Sequence, residues 1–179
     1  MGNFISEIWY NLYGIQKIDC IMFSLDIDEL LHIHQKILYD KYGMMMPFIN
    51  RMIFNYNNLT VTYFKFPTTD KIKKLIRYYF VNRLGLIFVV DSSNDNKIND
   101  SYIQIQALLE EEGFRDSIIL IFSVNKNDQQ SVKPNELSNR LKLNTLSDRE
   151  WKIQVIDNES NGIYDGLNWL EEAINKKFK

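Results

Sequence analysis

The chain has 179 residues, 45% of them hydrophobic and 25% charged, and a formal net charge of -2. That is the size and balance of one ordinary globular domain, long enough to bury a full core. The absence of any basic run excludes a nucleic-acid footprint, no apolar run approaches the roughly 20 residues of a membrane span, and the single Cys20 excludes a disulfide framework.

Taken in chain order, the amino end reads Met1-Gly2-Asn3-Phe4-Ile5-Ser6, which satisfies the M-G-x-x-x-[ST] signal and makes Gly2 a candidate for N-myristoylation. Phe4, Ile5, Ile8, Trp9, Leu12 and Tyr13 fall on one face of a helix, so residues 1–14 are read as an amphipathic helix. One acyl chain binds a bilayer only marginally, so this face must add area; Glu7 and the lack of lysine before Lys17 argue against strong attraction to anionic lipid. The competing reading packs the same helix into a groove on the domain.

Residues 15–179 are read as a single α/β domain. Continuous apolar runs predict core strands at Ile18–Phe23, Leu84–Val90, Ile118–Ser123 and Lys152–Ile156, separated by helical patterns, which is the signature of a mainly parallel sheet with helices on both faces. A hairpin is expected between Met52–Tyr56 and Leu59–Phe66, turning at Asn57-Asn58. Its second arm alternates Leu59, Val61 and Tyr63 with Thr60 and Thr62, which predicts one exposed face. Helices are predicted at Asp28–Tyr39, Asp70–Phe80, Ile98–Glu112, Asn135–Leu143 and Tyr164–Phe178, with Pro134 in a first turn. Cys20, within an apolar run, is expected to be a buried thiol. His32 and His34 stand two apart on a helix and do not share a face, so no metal site is expected.

The segment Ser24-Leu25-Asp26-Ile27-Asp28-Glu29-Leu30-Leu31 lies between the first strand and the helix after it. That is where a phosphate-binding loop carries G-x-x-x-x-G-K-[ST]. Ser24 and Glu29 stand at the two glycine positions, Leu30 at the lysine and Leu31 at the hydroxyl. Side chains crowd a loop that would have to approach phosphate closely, and Asp28 and Glu29 can satisfy the helix start themselves, at about 0.3–1 kcal/mol each. The same carboxylates repel phosphate.

Several ordered segments resemble the Arf and Arf-like family of small GTPases. They include Asp70-Lys71-Ile72, Tyr78-Tyr79-Phe80, Gly85 through Ser92, Phe114-Arg115-Asp116, Asn125-Lys126-Asn127-Asp128, Trp151 through Gln154, and Gly162 through Leu170. The resemblance implies a Ras-like fold of six strands with one antiparallel hairpin strand. It also implies a cytoplasmic protein peripheral on Golgi or vesicle membranes, with protein effectors or adaptors as partners. GDP or GTP and magnesium are the family's ligands.

Set against the family pattern, the magnesium threonine expected after Pro47 is Phe48, beside Met44-Met45-Met46. The Asp-x-x-Gly-Gln segment is Lys65-Phe66-Pro67-Thr68-Thr69, and the loop that closes over the base is Ile156-Asp157-Asn158-Glu159. The guanine motif N-K-x-D survives, so Asn125, Lys126 and Asp128 are the candidate nucleotide-binding residues, with one residue inserted before them relative to the family pattern. No catalytic residue and no cofactor are assigned. The resulting expectation is a pseudo-GTPase adaptor in membrane traffic, bound to membrane through its amino terminus. Two alternatives stay open: a divergent but working GTP/GDP switch, and a soluble interaction domain that keeps only the fold.

Overall fold

The computed structural model describes residues 17–42, 51–64, 83–125 and 131–178. The amphipathic stripe Phe4–Tyr13 with Gly2, the Met44–Phe48 segment, Lys65–Thr69, the helix expected at Asp70–Phe80, and Lys126 and Asp128 lie outside them.

The described residues form a six-stranded sheet in the order β2-β3-β1-β4-β5-β6, parallel except for the β2–β3 hairpin. The strands are β1 (Ile18–Ser24), β2 (Arg51–Tyr56), β3 (Leu59–Phe64), β4 (Gly85–Asp91), β5 (Ile118–Val124) and β6 (Trp151–Ile156). Four helices accompany them: α1 (Ile27–Tyr42), α2 (Asp95–Leu109), α3 (Pro134–Arg140) and α4 (Ile163–Lys177). Every expected strand and helix among the described residues is present, and the hairpin turns at Asn57-Asn58.

The apolar runs are continuous because both faces of the central strands are covered. On β1, Cys20 and Met22 join Leu30, Ile33 and Ile37 of α1 and Leu167 and Leu170 of α4, while Ile21 and Phe23 join Ile98 and Ile105 of α2 and Leu137 of α3. The two-residue period of the strand thus feeds two cores on opposite sides of one sheet. The Cys20 thiol is fully enclosed, and burial pushes it far above its ordinary range, so it is chemically inert. Opposite it on β4 sits Gly85, where a Cβ would lie 2.5 Å from the Cys20 sulfur.

Several boundaries and one face differ from expectation. Helix α2 starts at Asp95, three residues early, because the Asn94 side chain accepts from the backbone N–H groups of Asn96 and Lys97 and sets the start there. Helix α3 ends at Arg140, followed by Lys142 at φ +54, a left-handed conformation that stops a helix. Helix α1 runs on to Tyr42. On β3, Thr62 is only 5% exposed, flanked in the sheet by Ile21 of β1 and Ile53 of β2, while Thr60 is partly exposed.

Candidate functional site

β1 and β4 are adjacent and parallel, yet α1 leaves β1 toward one face of the sheet and α2 leaves β4 toward the other. That reversal marks the crevice position of an open α/β sheet, at the carboxyl ends of the two strands, where such folds usually place a ligand. Ser24 through Leu31 form its first wall, Asp91 through Lys97 its second, and Asn125 and the Asp157–Gly162 loop continue the rim.

The first wall is built from its own polar side chains. The Ser24 hydroxyl accepts from the backbone N–H of Asp26 at 3.0 Å and donates to Glu29 Oε2 at 3.3 Å. The Asp26 carboxylate accepts from the backbone N–H of Asp28 at 3.0 Å. The helix start is therefore capped from within. Leu30 is fully buried in the core under β1, and Leu31 is half-buried. Glu29, which stands at a glycine position of the phosphate-loop pattern, is 2% exposed.

The centre of the crevice is held by Lys97, from the first turn of α2. Its ammonium lies 2.6 Å from Asp26 Oδ2, 2.9 Å from Asp91 Oδ2 and 3.8 Å from Glu29 Oε1. The hydrogen bond to Asp26, joined by Asp91, outweighs burial and holds the lysine above its ordinary range. Burial pushes the Asp91 carboxyl up, but hydrogen bonds from Ser93 and Lys97 overcome it and leave the group below the usual carboxylate range. Asp91 also accepts from the Ser93 hydroxyl and backbone N–H. Three carboxylates thus converge on one ammonium.

The rim is tied across as well. His32 Nε2 and the Ser160 hydroxyl are 2.6 Å apart and join α1 to the loop between β6 and α4. Ser160 stands at φ +66 and is 5% exposed. Its loop is organised by Asp157, whose carboxylate accepts from the Asn161 side chain and from the backbone N–H groups of Asn161 and Glu159; the bond from the Asn161 side chain leads in holding it below the usual range. Asn125 accepts from the Ser131 hydroxyl through Oδ1, and its backbone N–H donates to Ile156 O. Ser92 donates its hydroxyl to Val124 O, and its backbone carbonyl accepts from the N–H of Val132, which fixes the end of β4 to β5 and the segment before α3.

Ser24, Glu29, Leu30 and Leu31 lie together at the head of the crevice, and Asn125 lies farther along its rim. Lys97, His32 and Ser160 were not legible as site residues. Lys97 meets Asp26 across 71 positions, and His32 meets Ser160 across 128, so no local spacing announces either contact. Among the described residues no cluster of His, Cys, Asp and Glu is arranged to hold a metal ion, and no helix is long and apolar enough to cross a membrane.

The chain is structurally similar to the Arl6 BBS3 small GTPase from Trypanosoma brucei, solved with the nucleotide analogue GppNp. The TM-score is 0.69 at 21% identity, over 89% of this chain and 98% of that one. The model of the ADP-ribosylation factor family matches residues 5–174. The chain belongs to the ADP-ribosylation factor family and has the fold of its small GTPases.

Proposed function

We propose that this protein is an Arf-like partner-binding module that works without nucleotide, a pseudo-GTPase adaptor recruited to intracellular membranes. The observation that carries this reading is the Lys97 ammonium held between Asp26 and Asp91 at the head of the crevice, where the phosphates and metal of a nucleotide would have to lie. The surrounding groups do not fit such a ligand. A triphosphate needs convergent backbone N–H groups, a lysine and a magnesium ligand. Here Leu30 is turned into the core, Asp28 and Glu29 bring negative charge to the helix start, and the backbone N–H of Asp28 is already satisfied by Asp26. Lysine could attract phosphate in principle, but its charge is spent on carboxylates that outnumber it.

Recruitment to the membrane rests on Gly2 and on the apolar stripe from Phe4 to Tyr13. Protein effectors are the partners, as suits the family. The surviving Asn125-Lys126-Asn127-Asp128 favours the rival reading, a divergent switch that still binds guanine nucleotide. Denaturing the protein as purified and chromatographing the supernatant separates the two. No stoichiometric GDP or GTP is expected; about one nucleotide per chain would establish the switch. Flotation of the myristoylated chain with vesicles, lost in Gly2→Ala, tests membrane recruitment. Flotation of neither form would leave only the soluble interaction domain.

A further inference from the structure

We infer that Lys97 and His32 are internal struts that hold the crevice loops in place without a ligand. The inference rests on the nucleotide-independent reading above. Loops that rim a crevice at the strand ends ordinarily gain order from what binds there, because a ligand that binds only the folded state stabilises it. In this chain the same loops are joined to one another.

Lys97 links three of them. From α2 it reaches Asp26 in the β1–α1 loop, Asp91 at the end of β4, and Glu29 in the first turn of α1. The His32–Ser160 contact of 2.6 Å links α1 to the β6–α4 loop on the opposite rim. Each strut ends on a segment already fixed from behind. Asp91 is held by Ser93, and the Ser160 N–H donates to Asp157 O at 3.0 Å. Asp26 is bound to Ser24, and Ser24 to Glu29. The chain of contacts therefore runs without a break from α2 through α1 to the β6–α4 loop.

The consequence is that the head of α1 and the β6–α4 loop keep one arrangement in the absence of a ligand.

The test is hydrogen exchange on the full ligand-free chain, comparing wild type with Lys97→Met, Lys97→Arg, His32→Ala and Ser160→Ala. Lys97→Met should speed exchange at residues 24–31 and 91–97 by roughly tenfold, through local opening, with the strands of the sheet still protected. Lys97→Arg, which keeps the charge, should retain most of the protection. His32→Ala and Ser160→Ala should each loosen residues 157–163; His32 is solvent-exposed, so its truncation keeps the test readable even if Lys97→Met folds poorly. Unchanged exchange in these segments in every variant overturns the struts. If wild type is protected as expected but GTP with magnesium protects the same segments further, the struts stand and the nucleotide-independent reading fails.

Discussion

Tyr56 donates its hydroxyl hydrogen bond to Oδ1 of Asn168 at 2.9 Å, and so ties the tip of the β2–β3 hairpin to α4. Glu171 adds two more ties, accepting from the Asn57 side chain at 3.0 Å and from the Asn58 backbone N–H at 3.3 Å. The Tyr56 ring stacks on Tyr164, with centroids 5.4 Å apart, and Tyr164 donates to Asp40 of α1 at 2.7 Å. The hairpin tip is thus clasped by two helices.

Glu171→Ala removes both Glu171 ties at once. Each is an exposed or half-exposed hydrogen bond, so the expected loss is about 0.5–1.5 kcal/mol in urea denaturation. Exchange of the hairpin amides between residues 53 and 61 should rise in the same variant. GDP or a GTP analogue should leave that exchange unchanged, because a ligand without differential affinity for two states shifts neither. Nucleotide-dependent exchange there would mean that the hairpin still responds to the γ-phosphate.

His34 gives a pH dependence whose sign follows from its burial. It is 2% exposed, its ring lies 5.0 Å from that of Tyr63, and neither ring nitrogen has a hydrogen-bond partner among the described residues. Burial lowers its pKa from 6.5 to about 4. The neutral ring is favoured in the fold, so its contribution is complete above pH 6.5 and drains away as the pH falls toward 4. The total is on the order of 3 kcal/mol. In His34→Leu this part of the acid sensitivity should vanish, and stability at neutral pH should rise by about 1 kcal/mol, since two buried polar atoms lose their desolvation cost. An unchanged stability–pH profile between pH 6.5 and 4 would contradict this assignment.

Gly162 begins α4 at φ +95, and a Cβ there would lie 2.2 Å from the Val155 carbonyl oxygen. Both the backbone conformation and the space exclude a side chain. Gly162→Ala should therefore cost about 2 kcal/mol or more and loosen the β6–α4 loop that carries Ser160. A melting temperature equal to that of wild type would show that the loop can move aside.

Much of this fold could be read directly from the chain. Ile118 through Ser123 and Leu86 through Val90 are continuous apolar runs because their strands are covered on both faces, and Asn57-Asn58 marks the hairpin turn because one of the pair takes φ +47. The start of α2 was misplaced because its cap, Asn94, sits in a run of polar residues in which several could serve. The site was legible only on one side. Glu29, Leu30 and Leu31 stand out by their types at a known spacing, whereas Lys97 meets Asp26, and His32 meets Ser160, only through the order of strands in the sheet. Contacts made by topology leave no local pattern.

The central claim is that the crevice no longer serves a magnesium nucleotide. Isothermal calorimetry of the purified chain with GTP, with and without magnesium, tests it most directly. No heat of binding is expected up to the highest usable concentrations in either condition. Micromolar affinity strengthened by magnesium would contradict the account, because it would mean that a working phosphate and metal site exists despite Lys97 held between Asp26 and Asp91.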